Sequence, residues 1–263
     1  MKYYIISGEA SGDLHASNLI RHLKHHDDEI AVRAWGGDLM KAQGAHMVKH
    51  YKELSFMGFW EVFKNLKTIL RNLNFCKKDI LDFHPNALIL VDYPGFNMRI
   101  AKFAKSHQIP VYYYISPQVW AWKKNRVYDI KKYVRELYTI LPFEKDFYAK
   151  YNCDVTYFGH PLLDAISTWK KEQESDHLVW KKSGRPLVAI LPGSRSQELQ
   201  KMLPKMMAVK KQFPQCDFVI AGVASLGRDF YQSYIQDSDI EVVFNQTYAL
   251  YNEADAALVS SGT

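Results

Sequence analysis

The segment Ser7-Gly8-Glu9-Ala10-Ser11-Gly12-Asp13 places two glycines, two serines and two carboxylates between a short apolar run, Tyr3–Ile6, and a helical pattern that begins at Leu14. In open α/β sheets, ligands bind where strands end and helices begin. The spacing is neither G-x-G-x-x-G nor G-x-x-x-x-G-K-[ST], so it fits neither a dinucleotide fingerprint nor a phosphate-cradling P-loop. With acids at Glu9 and Asp13, and with Ser11 and Gly12 between them, the loop suits hydroxyls and amines. That is the chemistry of a sugar-like substrate, not of NAD or ATP.

Four more segments carry chemistry. The run Leu88-Ile89-Leu90-Val91 ends in Asp92-Tyr93-Pro94-Gly95-Phe96-Asn97. A carboxylate at a strand tip serves as general base if a substrate hydroxyl comes within hydrogen-bond reach; alternatively, Asp92 caps a helix starting near Asn97. In Ser116-Pro117-Gln118-Val119-Trp120-Ala121-Trp122-Lys123-Lys124-Asn125-Arg126, two tryptophans lie beside three cations directly after a strand. Aromatic faces stack on sugars and cations pair with phosphate, which makes Ser116, Trp120, Trp122 and Arg126 substrate-binding candidates; otherwise one tryptophan is core and the cations are solvated. Leu191-Pro192-Gly193-Ser194-Arg195-Ser196-Gln197-Glu198 follows another strand and opens a helix. Helix N-terminal N–H groups attract anions, and an arginine adds a bidentate grip; the plainer alternative is a Pro-Gly turn with an N-cap serine. The terminal Ser260-Ser261-Gly262-Thr263 is a second small-residue loop of that kind.

The segment Leu54-Ser55-Phe56-Met57-Gly58-Phe59-Trp60-Glu61-Val62-Phe63 has more large apolar groups than one helix face accommodates. Phe59, Phe63, Leu66, Leu70 and Leu73 form one expected core stripe. Phe56, Met57 and Trp60 fall outside it, and Lys64, Lys67, Arg71, Lys77 and Lys78 surround it. An apolar knob ringed by cations is the pattern of an interfacial membrane contact; packing under a neighbouring loop is the alternative. Three other clusters are set aside. His22, His25 and His26 lie on a charged helix without further ligands, Asp237-Ser238-Asp239 precedes a strand at the wrong sheet edge, and Tyr112-Tyr113-Tyr114 is strand composition rather than a nucleic-acid platform.

These segments need a scaffold. Apolar runs at Tyr3–Ile6, Ile30–Trp35, Ala87–Val91, Val111–Ile115, Leu137–Ile140 and Asp154–Phe158 alternate with amphipathic stretches at Leu14–His25, Trp60–Leu81, Asn97–His107, Asn125–Tyr133 and Phe143–Lys150. Such alternation predicts parallel, doubly wound α/β sheets. The polar stretch Trp169–Pro186 reads as a boundary, after which strands at Leu187–Leu191, Asp217–Val223, Glu241–Phe244 and Ala256–Val259 restart the pattern. Two Rossmann-like domains follow, 1–167 and 168–263, the second expected to lack its closing helix.

The chain has 263 residues and a formal charge of +6, a mild excess that suits an anionic partner. Three scattered cysteines give no disulfide frame or metal motif. Without a signal peptide or an apolar run long enough to span a bilayer, a cytoplasmic protein is expected.

The motifs Ser7–Asp13, Leu54–Glu61, Asp92–Asn97, Ser116–Trp122, Leu141-Pro142-Phe143-Glu144-Lys145, Phe158-Gly159-His160, Leu191–Arg195 and Ser261–Thr263 resemble, in order and at similar spacing, those of the lipid-A-disaccharide synthases. The resemblance covers the chain end to end. It implies a two-domain GT-B fold and an inverting glycosyltransferase peripheral to the inner membrane of Gram-negative bacteria. The implied substrates are UDP-2,3-diacylglucosamine and 2,3-diacylglucosamine 1-phosphate, with an anionic lipid surface as a further partner, no cofactor, no metal and no nucleic acid. At matching positions it implies Asp92 as general base and the loop of Glu9, Ser11 and Asp13 around a sugar. It places Gly193, Ser194 and Arg195 on the UDP diphosphate with Ser261, Gly262 and Thr263, counts Glu198 among the UDP-binding residues, and implies a membrane-facing set of Phe56, Met57, Phe59, Trp60, Lys64 and Lys67. The family often has a second aspartate where Gly95 stands, so that acid is not essential here. A chain ending at Thr263 is expected to bind UDP poorly. Rival expectations are a UDP-hexosamine epimerase or peptidoglycan glycosyltransferase on the same scaffold, or an inactive lipid-binding truncation product.

Overall fold

A computed structural model describes residues 1–54, 66–172, 180, 183–235 and 239–260. The chain divides into two compact units, Met1–Ala165 and Ile166–Thr263.

In the first unit, strands β1 (Lys2–Ser7), β2 (Ala31–Gly36), β3 (His46–His50), β4 (Ala87–Val91), β5 (Val111–Tyr114), β6 (Glu136–Thr139) and β7 (Thr156–Tyr157) form one parallel sheet. Its strand order is β3-β2-β1-β4-β5-β6-β7. The central strands read as unbroken apolar runs, and β4 is buried at every position, as a parallel strand covered on both faces must be. Alternation divides their side chains between two cores. Tyr4, Ile6, Leu88, Leu90 and Tyr113 lie in one, which also holds Leu73, Cys76 and Ile80 of α3 (Leu66–Phe83), Phe96, Ile100 and Ala104 of α4 (Pro94–Ser106), and Val127 and Ile130 of α5 (Arg126–Tyr133). Ile5, Ile89 and Val91 lie in the other with Ala16 and Ile20 of α1 (Ala10–His26) and Met40 of α2 (Asp38–Ala42). Helices α6 (Pro142–Ala149) and α7 (Pro161–Glu172) follow β6 and β7.

A polar chain is embedded in the first core. Trp35 Nε1 donates to the Tyr4 hydroxyl, which donates to Asp79 at 2.7 Å, and Arg33 grips the same carboxylate through Nε at 3.0 Å and Nη2. Burial, more than any neighbour, pushes the Tyr4 hydroxyl far above its ordinary pKa, so it stays protonated.

Several expectations need correction. On α3 the buried stripe is Asn72, Leu73, Cys76, Asp79 and Ile80, while Leu70 is 49% exposed. The helix turns Leu70 outward because Leu73, Cys76 and Ile80 repeat at helical spacing and Leu70 lies off that line. The stretch read as a boundary from Trp169 is helical as far as Glu172. Neither β3 nor α2 was anticipated, since His46–His50 has only two apolar residues and α2 only five residues in all. The helix expected from Asn97 begins at Pro94, its N-cap being Tyr93 without a side-chain bond, so Asp92 is not its cap.

In the second unit, β8 (Leu187–Leu191), β9 (Asp217–Gly222), β10 (Glu241–Phe244) and β11 (Ala256–Val259) form a parallel sheet in the order β10-β9-β8-β11. Helices α8 (Ser196–Lys210), α9 (Gly227–Ile235) and α10 (Thr247–Glu253) pack on it, with cores on both faces. Asp239, from the set-aside acidic pair, is ion-paired with Arg185 and Lys210; Asp237 lies outside the described residues.

Candidate active site

Both sheets have a point where the strand order turns back on itself. In the first unit it falls between β1 and β4, because the chain leaves β1 towards β2 on one side and later returns to β4 on the other. Ser7 pairs with Val91 across that junction, so Gly8-Glu9 and Asp92-Tyr93 emerge side by side at the carboxyl edge. Such a switch point is where open α/β sheets hold ligands. The contact is close: a Cβ on Gly8 would lie 2.4 Å from the Tyr93 ring, so only glycine lets the two loops meet.

The loop after β1 does two different jobs. Asp13 was expected to hold a sugar hydroxyl, and the structure corrects this. Its carboxylate is buried, 3% exposed, and accepts backbone N–H bonds from Gly37 at 2.8 Å, Leu39 at 3.1 Å and Met40 at 3.1 Å. It thereby satisfies the first orphan donors of α2, a helix too short to supply a cap of its own. Gly12 is likewise a packing residue, since a Cβ there would meet Ser7 Oγ at 2.3 Å. Ser11 is exposed and Glu9 is half-buried at the N-cap of α1. Burial, and then the charge of Glu9, raises the pKa of Tyr93, which places that carboxylate near the β4 loop.

Asp92 and Tyr93 both adopt left-handed backbone, with φ of 42° and 49°. For non-glycine residues this strain is about 1–3 kcal/mol each and persists only where surroundings enforce it. The chain thereby turns abruptly from β4 into α4 and leaves the Asp92 side chain half-buried at the sheet edge. The neighbouring Tyr113 hydroxyl has its pKa raised first by burial and then by the Asp92 charge, with the Arg126 charge acting in the opposite sense. Glu9 and Asp92 thus emerge at one edge.

Ser116 is not available to a substrate in this arrangement. It is 3% exposed, and its hydroxyl is engaged with Tyr148 at 3.0 Å and with the Pro117 carbonyl. The two tryptophans part company. Trp120 packs edge-on against Phe143 with ring centroids 5.0 Å apart, whereas Trp122 is 72% exposed, with Lys123 Nζ 5.8 Å from its ring centroid. On the α1 side, His15 and His160 rings approach edge to face at 6.4 Å. Burial, and secondarily His160, lowers the His15 pKa to about 4, so His15 is neutral near pH 7.

The second unit repeats the topology. Leu191 pairs with Val259, and Ser260 N–H donates to the Leu191 carbonyl at 2.9 Å, so Pro192-Gly193-Ser194 and Ser260 emerge together at the β8/β11 junction. Gly193 has φ 118°, and a Cβ there would lie 2.8 Å from Glu198 Oε2. Arg195 is the N-cap of α8 with no side-chain cap, in place of the serine considered for that role. Its guanidinium pairs with Glu198 at 3.2 Å and is 45% exposed. Glu198 thus bears on both the arginine and the Gly193 turn. Ser261, Gly262 and Thr263 lie outside the described residues, as do Phe56, Met57, Phe59, Trp60 and Lys64; Lys67, on α3, is exposed.

A family model described as lipid-A-disaccharide synthetase matches residues 3–263. The chain belongs to the lipid-A-disaccharide synthase family. Curated relatives agree: lipid-A-disaccharide synthase 1 of Legionella pneumophila is 33% identical over 98% of this chain and 69% of its own length. The synthase of Syntrophus aciditrophicus is 34% identical over 98% of this chain and 70% of its own length. Solved structures with the same fold include a UDP-GlcNAc 2-epimerase from Neisseria meningitidis, with a TM-score of 0.69 at 14% identity over 100% of this chain and 78% of that one. MurG of Acinetobacter baumannii superimposes with a TM-score of 0.51 at 12% identity, over 100% of this chain and 72% of its own. At those identities the likeness is one of fold, a GT-B-like fold of parallel α/β sheets. What separates this lipid-A-disaccharide synthase family member from the epimerases is therefore its sequence motifs and not its architecture.

Three residues beside these loops carried no role in the sequence reading: Asn97, Tyr113 and His15. Tyr113 stood in a Tyr-Tyr-Tyr run with no chemical signature. Asn97 closed the Asp92 motif without a role, and His15 followed the acidic loop by only two positions.

Proposed function

We propose that this glycosyltransferase of lipid A biosynthesis transfers 2,3-diacylglucosamine from UDP-2,3-diacylglucosamine to 2,3-diacylglucosamine 1-phosphate by a single inverting displacement. Asp92 takes the proton of the acceptor 6-hydroxyl as that oxygen attacks the anomeric carbon, and UDP departs from the opposite face. The observation that carries this reading is the paired emergence of the Glu9 loop and the half-buried Asp92 at the switch point between β1 and β4. Glu9, Ser11, Trp122 and Arg126 surround the sugars there. The Gly193-Ser194-Arg195 turn holds the departing diphosphate, with the α8 N-terminus and the arginine opposing its charge. Positioned proton transfer contributes about 10²–10⁴-fold. Asp92→Asn in the full-length protein is therefore expected to lower kcat for UDP release at least a hundredfold with the fold intact, and turnover within twofold of wild type would reject the base assignment.

The same reading places the first unit against an anionic membrane surface. All of the net +6 charge falls in residues 1–165. The layer of α3, α4 and the segment 123–133 holds twelve Lys/Arg and three Asp, one of which is the buried, paired Asp79. Lys67, Arg71, Lys78, Arg99, Lys102 and Lys105 are exposed there, with Leu70, Phe75 and Trp122 exposed among them. Cations near anionic lipid contribute about 1 kcal/mol each. Changing Lys78, Lys102 and Lys105 to glutamine should weaken co-flotation with phosphatidylglycerol vesicles roughly a hundredfold by that figure, and undiminished binding would place the contact elsewhere.

A further inference from the structure

We propose that Tyr113 and Asn97 are positioning residues that hold Asp92 in its working orientation, an inference that rests on the reading of Asp92 as general base. The Asp92 carbonyl receives two donors at once, the Tyr113 hydroxyl at 2.6 Å and Asn97 Nδ2 at 2.7 Å. Asn97 Nδ2 also reaches the Val91 carbonyl at 3.2 Å and that of Ile6 at 3.5 Å, which ties the β4 tip to β1. Both side chains are fully buried. Two consecutive non-glycine residues in left-handed backbone do not hold that shape unaided. The clamp acts on the first of them, and the Phe96 and Asn97 N–H groups close on the Tyr93 carbonyl at 3.3 and 3.0 Å to fix the second. Packing supports it from outside, where the Tyr93 ring stacks on Phe96 with centroids 5.6 Å apart. Both donors act on the Asp92 backbone carbonyl. A general base misplaced by a fraction of an ångström loses rate while substrate binding stays intact, so the expected signature lies in kcat and not in KM.

Tyr113→Phe removes one donor and keeps the ring, and Asn97 still satisfies the buried carbonyl. In the full-length protein, with both sugar substrates, it should lower kcat about tenfold and leave both KM values within twofold. The decisive comparison adds Asp92→Asn. If Tyr113 acts only through Asp92, the double variant is no slower than Asp92→Asn alone, because the group being positioned is gone. Multiplying losses, or a Tyr113→Phe enzyme of normal kcat, would overturn the clamp. Asp92→Asn with normal turnover would instead overturn the general-base reading, so the two failures are distinct. Asn97→Ser, which cannot reach three carbonyls, gives the same test should Tyr113→Phe fold poorly. In that variant, amide exchange at Phe96 should accelerate at least tenfold while exchange at Leu88 does not change; equal protection would count against the proposal.

Discussion

Asp13 offers the sharpest separation of structural from catalytic duty, because its loop position suggests a ligand and its surroundings say otherwise. Its carboxylate is 3% exposed and accepts three backbone N–H bonds, two of them on Oδ1 from Gly37 and Met40 and one on Oδ2 from Leu39. An exposed N-cap is worth about 1 kcal/mol. Here three donors are buried, and each loses about 1–1.5 kcal/mol when its charged acceptor vanishes. Asp13→Ala should therefore destabilise the first unit by about 3–5 kcal/mol. Asp13→Asn can present its amide oxygen where Oδ1 stood and retain two bonds, but its NH2 then faces the Leu39 N–H, so a loss of about 2 kcal/mol is expected. Urea unfolding followed by near-ultraviolet circular dichroism reads the first unit through the buried Trp35. With a slope of about 2 kcal/mol/M, the midpoint should drop by roughly 2 M for alanine and 1 M for asparagine. Under conditions where each variant is folded, KM for both sugar substrates should match wild type within twofold. An alanine variant of unchanged midpoint whose KM rises tenfold would refute the reasoning and return Asp13 to the substrate.

Two further outcomes follow from buried polar groups. Asp79→Ala strands Arg33 and the Tyr4 hydroxyl and should cost about 3–5 kcal/mol by denaturant titration, whereas the paired change Arg33→Met with Asp79→Leu should cost far less, since replacing both ions removes the uncompensated charge. His15 has a folded pKa lowered to about 4 against an ordinary 6.5, so the unfolded chain binds its proton first as pH falls. Its contribution is fully present above pH 6.5 and is lost progressively down to about pH 4, an upper bound of roughly 3 kcal/mol. His15→Gln should flatten that part of the stability profile relative to wild type, and an unchanged slope between pH 6.5 and 4 would show that His15 titrates normally.

The sheet-forming runs were legible because a parallel strand buried on both faces is written as contiguous apolar residues, as in Ala87–Val91 and Leu187–Leu191. What escaped was small or partly exposed. The edge strand His46–His50 has half-exposed residues and no clear period, and α2 is a single turn held by a carboxylate that lies 24 residues upstream of its first bonded amide, Gly37. The α3 stripe was placed on Leu70 because the pattern was phased from Phe59, outside the described helix; the buried residues are those a turn further on, where Cys76 and Asp79 meet Tyr4.

The candidate site shows where residue type stops being informative. Glu9 and Asp13 belong to one motif, yet one is half-buried at the sheet edge and the other is sealed beneath α2. Nothing local distinguishes them, because the deciding partners, the amides of Gly37, Leu39 and Met40, come from an element that the sequence pattern did not announce. Asp92 was legible for the opposite reason, since a carboxylate that ends a fully buried run has only the sheet edge to occupy. Its backbone needed more. The left-handed pair Asp92-Tyr93 contains no glycine to signal it, and the groups that enforce it are an asparagine five residues on and a tyrosine from the adjacent strand. A motif therefore reports which chemical groups are present, and long-range hydrogen bonds decide which of them face the substrate and which hold the others still.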